Sequence, residues 1–464
     1  MTPKRQRIVQ GSCWPCKQRR VKCDLVQPHC RRCIISGAKC SFDKLLVRWN
    51  SRPTKSAPLA YQAACTSPKA TLFGQLHDAH LASGELKSLD YFQAALWPLL
   101  TTATHPCPPP ISLALEFKPV LLAMCELAEA HRVLQHDNSP NQLKSISEKR
   151  LSCLTSVRQQ LHQNISNNES LSRLLVAVLL LYFLDGFIDC GEQSASTASH
   201  QAGVQAIVEQ LGGLDALMGE GKKETPLMLL SEFASTDLTR ALLDDRSPCF
   251  PGKIWQQIER GPVWWEKQPY GVNLSVIFQT MAEMAFYRQS IQANEEKLHI
   301  DQVRDFERRL QPSFSVLSLD HFGCPEEETL SKSELEKANQ TSAFTRAFQH
   351  SALIYLYRAV CGLPPRHRLV QQHVSFCMGC IQAISPDSKA HNCIVFPLYV
   401  VGAHSFTSDH QSNILGKLDS IFRTIRFNSL LSIRAALEEL WSSNRQEGDW
   451  KVLFSSLGRD VLVL

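Results

Sequence analysis

The sequence predicts a small N-terminal domain organised by a cysteine cluster, then a linker and a large all-α helical domain. Three observations support this fold class. Six of the seventeen cysteines fall within residues 13–40 at a regular spacing. Residues 44–85 contain several prolines among Ser, Thr and Ala, a composition typical of a linker. From residue 86 to residue 464, apolar residues recur with the 3.6-residue period of an α-helix.

Composition and charge distinguish the two ends of the chain. Hydrophobic residues make up 44% of the 464 residues, which is enough to build a sizeable core. The net charge is +5, yet residues 1–55 carry fourteen Lys or Arg and two acids, so the remainder carries −7. This asymmetry indicates that the N-terminal region binds a polyanion. A merely basic tail would explain Lys4, Arg5 and Arg7, but not the cysteine spacing that follows.

The distribution of cysteines and apolar residues also predicts where the protein resides. The eleven cysteines outside residues 13–40 show no disulfide framework, which favours a reducing compartment. No apolar segment follows the basic N-terminus, so no secretory signal is expected. The longest apolar run, 174–184, is too short to span a bilayer. We therefore expect an intracellular, soluble protein that does not insert into membranes.

The cysteines form two equal halves, each with the spacing C-x2-C-x6-C, joined by six residues. The ligands are Cys13, Cys16, Cys23, Cys30, Cys33 and Cys40. A C-x2-C step presents two thiolates to one metal at the start of a helix, and the third arrives one helical pass later. The pattern predicts two short helices plus loops within residues 10–43, with Gly37 allowing the second helix to end.

Three ligands per half cannot complete two separate tetrahedra, but six thiolates can if two of them bridge. We predict two zinc ions that share Cys13 and Cys30, because sulfur ligands favour zinc over hard cations. A RING or LIM domain would need eight ligands, and His29 is the only additional candidate within the cluster.

Helical stripes account for most of the remaining chain. The stripes include Leu86, Leu89, Phe92, Leu96 and Leu99; Val120, Met124, Leu127, His131 and Leu134, after Pro119 at a first helical position; Val204, Ile207, Val208 and Leu211, ended by Gly212; and Leu430, Ile433, Leu437, Leu440 and Trp441. Residues 171–187 are apolar on every side, which predicts a buried central helix.

Other motifs in this region favour packing over chemistry. His373, Cys377 and Cys380 could share a helix face and bind a metal, but a buried core position is the favoured interpretation. Trp264 and Trp265 are likewise assigned to packing rather than to a ligand pocket. Residues 216–223 depart from a phosphate-binding loop, and the hydrolase and protease motifs are absent, so we predict that the protein is not an enzyme.

The N-terminal region resembles the fungal binuclear zinc cluster regulators, which bind two zinc ions through six cysteines. The resemblance rests on all six cysteines, the basic run 17–22 and Pro28. It implies that the first helix enters the major groove and reads a G·C-rich triplet, usually CGG. By position, Arg20 and then Arg19 would contact bases, whereas Lys17 and Lys22 would contact phosphates. Arg20 replaces the Lys of many members and keeps the preference for guanine.

The helical region resembles the second class of fungal-specific transcription factor domain. Scattered segments carry this likeness: 89–92, the apolar helix that ends near Asp185, 200–203, 212–213, 396–398 with Gly402, 440–441 and 449–450. The resemblance implies regulation or assembly and no assigned chemistry. A dimer through this domain is possible, whereas Pro53 and Pro58 argue against a coiled coil directly after the cluster.

Together these features predict a nuclear, sequence-specific, DNA-binding transcription factor of the RNA polymerase II type. Its expected partners are double-stranded DNA and the transcription machinery or co-regulators. The family suggests an activator of a metabolic or secondary-metabolite gene set. A repressor, or a zinc-stabilised protein-interaction module without sequence-specific DNA binding, remains an alternative. Lys4, Arg5 and Arg7 could form a nuclear import signal or a minor-groove arm, or simply be solvated charges.

Overall fold

A computed structural model describes two compact units, residues 1–70 and residues 71–464. In the first unit it describes Cys13, Cys16, 21–26, 29–37 and Cys40. In the second unit it describes 81–101, 107–135, 140–163, 168–190, 197–217, 224–260, 273–294, 297–311, 332–443 and 445–463. Most of the predicted linker, 44–85, therefore lies outside the described residues, as does the region in which a coiled coil was not expected.

The described residues are helical throughout, with turns and loops but no strand. The first unit contributes α1 (Arg31–Ile35). The helices of the second unit are α2 (Ser83–Tyr91), α3 (Ile111–Glu116), α4 (Lys118–Leu134), α5 (Pro140–Gln163), α6 (Asn168–Phe183), α7 (Thr197–Gln210), α8 (Leu214–Leu217), α9 (Glu224–Asp244), α10 (Ile254–Arg260), α11 (Leu274–Asn294), α12 (Ile300–Leu310), α13 (Lys332–Tyr355), α14 (Arg368–Ala383), α15 (Val395–Ala403), α16 (Ser408–Ile425), α17 (Asn428–Ser442) and α18 (Trp450–Phe454). The predicted order, a cysteine cluster and then an all-α domain, is confirmed.

Short helical segments of other kinds extend or link these α-helices. Single π-helical turns continue α2, α6 and α13, over Phe92–Leu96, Leu184–Ile188 and Leu356–Val360. The 3₁₀ segments are Trp97–Leu99, Lys389–Cys393 and Arg445–Glu447. One contiguous apolar core runs from Leu89 to Val463, so the helices of the second unit pack around a single centre.

Helix α6 is the predicted buried central helix. Residues 174–186 are all buried, and α4, α7 and α9 pack around them. With its π turn the helix spans Asn168–Ile188, which is long and apolar enough to cross a membrane, although the apolar run alone is too short. However, 83% of its apolar window is buried inside the protein. Its apolarity is therefore that of a core helix.

The other predicted stripes lie on the buried faces of their helices. In α4, Val120, Met124, Leu127 and His131 are buried, and Pro119 lies in the first turn, one residue after the helix begins. At the end of α7, Gly212 has a φ of +93° and Gly213 donates to the carbonyl of Val208 at 2.9 Å. This is the glycine cap that the sequence predicted. Helix α2 begins at Ser83, three residues before the predicted boundary.

The C-terminal segment is inserted into the core. Val461, Leu462 and Val463 are buried. The amide of Leu462 donates to the carbonyl of Gly186 at 2.9 Å, and Nη1 of Arg240 donates to the carbonyl of Val461 at 3.1 Å. The segment therefore joins the π turn after α6 to helix α9.

We predict that Gly186→Ala will destabilise this domain by about 1–3 kcal/mol, because the new methyl group overpacks the core. A Cβ at this position would lie 2.1 Å from Cγ of Leu462. Thermal unfolding monitored by far-UV circular dichroism measures the change. Gly416→Ala is the matched control, because a Cβ there has no heavy atom within 4 Å and should be neutral or slightly stabilising. Equal melting temperatures for the two variants would contradict the packing argument.

Helix α4 also buries a carboxyl group. Glu126 is 1% exposed, and neither of its oxygens has a hydrogen-bond partner among the described residues. Burial, with the nearby carboxylate of Glu129, raises the pKa of Glu126 to about 8, although Arg150 and Lys149 act in the opposite direction. The folded protein therefore keeps Glu126 protonated at pH values where the unfolded chain ionises it.

We predict that Glu126 makes stability fall as the pH rises from 4.5, the ordinary pKa of the group, to about 8. Over this range the folded state holds one proton more than the unfolded state. Glu126→Gln cannot ionise, so wild type should lose stability relative to this variant between pH 4.5 and about pH 8. The exposed Glu209→Gln is the control. A stability difference between wild type and Glu126→Gln that does not change with pH would refute the assignment.

Candidate metal centre and nucleic-acid interface

The six cysteines predicted as ligands come together in the first unit. Cys13, Cys16, Cys23, Cys30 and Cys33 are buried, and Cys40 is partly buried against them. Their sulfurs form two groups of four in which all ligand atoms lie within 4.8 Å of one another. One group consists of Cys13, Cys16, Cys23 and Cys30, and the other of Cys13, Cys30, Cys33 and Cys40. The two groups share Cys13 and Cys30, as predicted.

The sulfur–sulfur distances are those expected around tetrahedral zinc. A Zn–S bond of about 2.3 Å places two ligands of a tetrahedron about 3.8 Å apart. In the structure, Sγ of Cys13 lies 3.5 Å from Sγ of Cys30 and 3.8 Å from Sγ of Cys23. Sγ of Cys13 also lies 3.6 Å from Sγ of Cys33, within the second group. The soft donor set and its spacing therefore fit two zinc ions bridged by Cys13 and Cys30.

Backbone amides donate to the sulfurs of two ligands, Cys30 and Cys40. The amide of Cys33 donates to Sγ of Cys30 at 3.4 Å, and the amide of Cys30 donates to Sγ of Cys40 at 3.3 Å. Burial opposes ionisation of Cys30, but the Cys33 amide and the neighbouring sulfurs outweigh it and lower the pKa of Cys30 to about 6. Burial instead raises the pKa of Cys33 to about 12, so binding of zinc must displace its proton.

The second half of the cluster is built on helix α1. Cys30 precedes the helix, which begins at Arg31, and Gly37 follows it with a φ of +62°. The amide of Arg31 donates to Oδ2 of Asp24 at 3.0 Å, so a side chain of the joining loop caps this helix. The predicted role of Gly37 in ending the helix is confirmed. The sequence alone does not identify this cap, because Asp24 lies seven residues before Arg31 and only folding brings the two together.

The structure describes only part of the proposed DNA-contacting surface. Lys22 is exposed, next to the buried ligand Cys23. Lys17, Arg19 and Arg20 lie outside the described residues, as do Lys4, Arg5 and Arg7. Cys16 is the described residue of the first predicted short helix.

Two further basic residues lie between ligands of the cluster but were not predicted from the sequence as DNA contacts. Arg31 and Arg32 are both exposed on α1, whereas Cys33 in the same helix is buried. Their position between two ligands of a C-x2-C step is the signal that could have identified them. The two side chains add to the positive charge that the first unit presents to solvent.

The other candidate metal site, formed by His373, Cys377 and Cys380 in the helical domain, consists of side chains that contact other protein groups. Sγ of Cys377 donates to the carbonyl of Ala347 at 3.3 Å, and Nδ1 of His373 lies 3.0 Å from Nδ1 of His350. Among the described residues, these side chains do not form a group of metal ligands. The predicted core position is confirmed for Cys377, which is buried, whereas His373 and Cys380 are only partly buried. Trp264, Trp265 and residues 218–223 lie outside the described residues.

Comparison with known families identifies both units. Residues 11–48 match the fungal Zn(2)-Cys(6) binuclear cluster domain, and residues 87–464 match the fungal specific transcription factor domain. The second match alone covers more than half of the chain. The protein belongs to the fungal specific transcription factor family. This family consists of transcription factors and not of enzymes, and the zinc cluster domain of this transcription factor is a DNA-binding domain.

A curated relative matches a short part of the chain. The matching segment is 59 residues long, which is 13% of this chain, and it is 41% identical to a segment of Arginine metabolism regulation protein II of Saccharomyces cerevisiae. The alignment spans 7% of that yeast protein. No solved structure matches the chain.

We predict that Cys30→Ser will remove both zinc ions, because Cys30 belongs to both four-sulfur groups. Cys40→Ser removes a ligand from one group and should cost at most one zinc ion. Native mass spectrometry or metal analysis of the purified chain counts the ions. Cys249→Ser, which changes a cysteine of the helical domain, is the control and should keep both. Full retention of one zinc ion by Cys30→Ser would contradict the bridging role.

Proposed function

We propose that this protein is a sequence-specific RNA polymerase II transcription factor that acts in the nucleus and reads CGG-like triplets in the major groove. The observation that carries the proposal is the pair of four-sulfur groups sharing Cys13 and Cys30, because two zinc ions held there would order a short unit that is rich in Lys and Arg. The balance of +12 in residues 1–55 supports a polyanionic partner.

Base contacts are assigned to Arg20 first and to Arg19 second, because a guanidinium can form two hydrogen bonds with O6 and N7 of guanine. Lys17 and Lys22 are assigned to phosphates, which set position and affinity without reading sequence. The exposure of Lys22 beside Cys23 is consistent with a phosphate contact from the rim of the cluster. Arg31 and Arg32, both exposed on α1, add further positive charge to this unit.

The helical domain is proposed to control the output of the bound protein, with activation as its sign and repression as the alternative. The name of the yeast relative supports a metabolic gene set, and the shared 59 residues limit that support to a short segment. Co-regulators or the transcription machinery are the proposed partners. Lys4, Arg5 and Arg7 are proposed to act in nuclear import or as a minor-groove arm.

A second function, docking of proteins by the zinc-stabilised unit, has one observation in its favour. Ile34 and Ile35 on α1 are 64% and 84% exposed, and exposed aliphatic side chains on a small domain can bind another protein. Chromatin occupancy of the tagged full-length protein, with and without intact cysteines, distinguishes the two functions. Occupancy that survives loss of the cysteines would favour protein docking over DNA binding.

We predict that Arg20→Ala will weaken binding to a CGG-containing duplex by about 1–3 kcal/mol and reduce discrimination at the guanines. Lys17→Ala should weaken binding to all duplexes alike and lower the slope of log affinity against log salt by about one. Fluorescence anisotropy with matched CGG and scrambled duplexes, at several salt concentrations, measures both effects. The proposal fails if zinc-loaded wild-type protein binds both duplexes equally well.

A further inference from the structure

A cavity of about 490 Å³ lies where the first turns of α7, the C-terminal end of α9 and the segment from α18 onward meet. This volume is in the range of sites that bind small organic molecules. Part of the wall is apolar and closed to solvent, because the buried side chains of Leu243, Phe454, Leu457 and Leu462 line the space. We call this space the C-terminal cavity.

The C-terminal cavity is lined by more cations than acids. The cations are Arg240, Arg246, Lys451 and Arg459, and the acids are Asp244 and Asp460. Both acids already accept hydrogen bonds from the protein. Asp244 accepts two from Arg240, at 2.6 and 2.9 Å, and Oδ1 of Asp460 accepts one from the hydroxyl of Thr197 at 2.9 Å. The two acids are therefore parts of the wall.

Two of the four cations have structural roles. Arg240 is 4% exposed, and besides Asp244 it contacts the carbonyl of Val461, to which Nη1 donates at 3.1 Å. Nη2 of Arg246 donates to Oδ1 of the buried Asp237 at 2.8 Å. These contacts hold the C-terminal segment and the end of α9 in place, so they account for both arginines without a ligand.

Lys451 and Arg459 have no such role. Both are exposed, and among the described residues neither side chain forms an ion pair or a hydrogen bond. Asp245 attracts Lys451, but Asp245 is already bound by Arg288, whose Nη2 donates to it at 2.8 Å. Asp460 is the one lining acid that no described cation pairs with. The balance of unpaired charge around the cavity is therefore positive, and it attracts anions.

We infer that the C-terminal cavity binds a small organic anion, with a carboxylate or phosphate group between Lys451 and Arg459 and an apolar group against Phe454 and Leu457. Lysine and arginine form charge-assisted hydrogen bonds with the oxygens of either group. The apolar wall then removes the rest of the ligand from water. A molecule with one charged end and one apolar end uses both parts of the site.

Helix α7 adds to the attraction for an anion. The helix has 14 residues, and Thr197 and Ala198 of its first turn line the cavity. The amide of Thr197 is already bound to Asp460. The helix therefore acts through its dipole, whose positive end favours negative charge nearby, and not through this amide.

The shape of the site favours a small molecule over a polymer. A nucleic acid backbone or an acidic peptide is bound by cations spread along an open surface. Here the two unpaired cations line a concave space that is also lined by buried apolar side chains. Such a combination is typical of sites for small molecules.

A bound anion would join three parts of the helical domain. Lys451 lies on α18, Arg459 lies in the segment after it, and α7 and α9 supply other parts of the wall. Because Val461–Val463 of the same segment are inserted into the core, a ligand that bridges these elements should stabilise the fold. At ten times its dissociation constant, the ligand should raise the melting temperature by about 2 °C.

Isothermal titration calorimetry of the zinc-loaded full chain with phenyl phosphate and with benzoate tests the inference. At least one of these anions should bind with a dissociation constant on the order of 1 mM, as expected for so small a probe. The tighter anion identifies the preferred charged group. Benzyl alcohol, which has the ring without the charge, should bind roughly tenfold more weakly or not at all.

Two variants distinguish the cavity from the basic zinc unit, which also attracts anions. Lys451→Ala and Arg459→Ala should each weaken binding of the probe roughly tenfold and reduce the rise in melting temperature. Lys87→Ala, which removes an exposed lysine of α2, is the matched control and should bind the probe like wild type. Circular dichroism and zinc content of each variant verify that it is folded.

Equal binding of the probe by wild type, Lys451→Ala and Arg459→Ala would overturn the inference, because the anion would then lie elsewhere. Absence of binding by either anion up to ~10 mM, or equally tight binding of benzyl alcohol, would overturn it as well. The test is separate from that of DNA reading, because Lys451→Ala should bind a CGG-containing duplex like wild type.

Discussion

The first unit depends on the sharing of two sulfurs between two metal sites. Without a bridge, six thiolates would leave each zinc ion with three ligands, and the two halves of the motif would have no covalent link through metal. With Cys13 and Cys30 in both groups, each half completes the coordination of the other. A segment this short has little apolar core of its own, and among its described residues the buried set consists of the cysteines themselves. Folding of the domain is therefore coupled to metal binding, and the exposed Lys22, Arg31 and Arg32, which lie next to or between ligands, owe their positions to the cluster.

The helical domain is stabilised by its apolar core. Its stability comes from burying apolar surface: α6 from Leu174 onward and α15 are buried on every side, and amphipathic helices such as α12 bury one face. The π turn after α6 brings the carbonyl of Gly186 to the C-terminal segment, and the missing side chain leaves room for Leu462. Residues nearly 280 positions apart in sequence thus depend on each other, which ties the end of the chain to the centre of the domain.

The sequence predicted those features that arise from local repetition. Cysteine spacing identified the six ligands and the two shared ones, and helical periodicity identified α4, α6, α7 and α17. Features that need a tertiary partner were not predictable in this way. The cap that Asp24 provides to α1, the insertion of Val461–Val463 and the buried, unpartnered Glu126 all depend on which residues meet after folding. The C-terminal cavity belongs to the same class, because it forms only where α7, α9 and the segment from α18 onward meet.

The small size of the zinc cluster limits how much DNA sequence it can recognise. A cluster rigidified by metal can place one or two guanidinium groups against a base-pair edge, but a contact of that size discriminates only a few base pairs. The contact that the cluster can make is therefore small beside the helical domain, whose core runs from Leu89 to Val463.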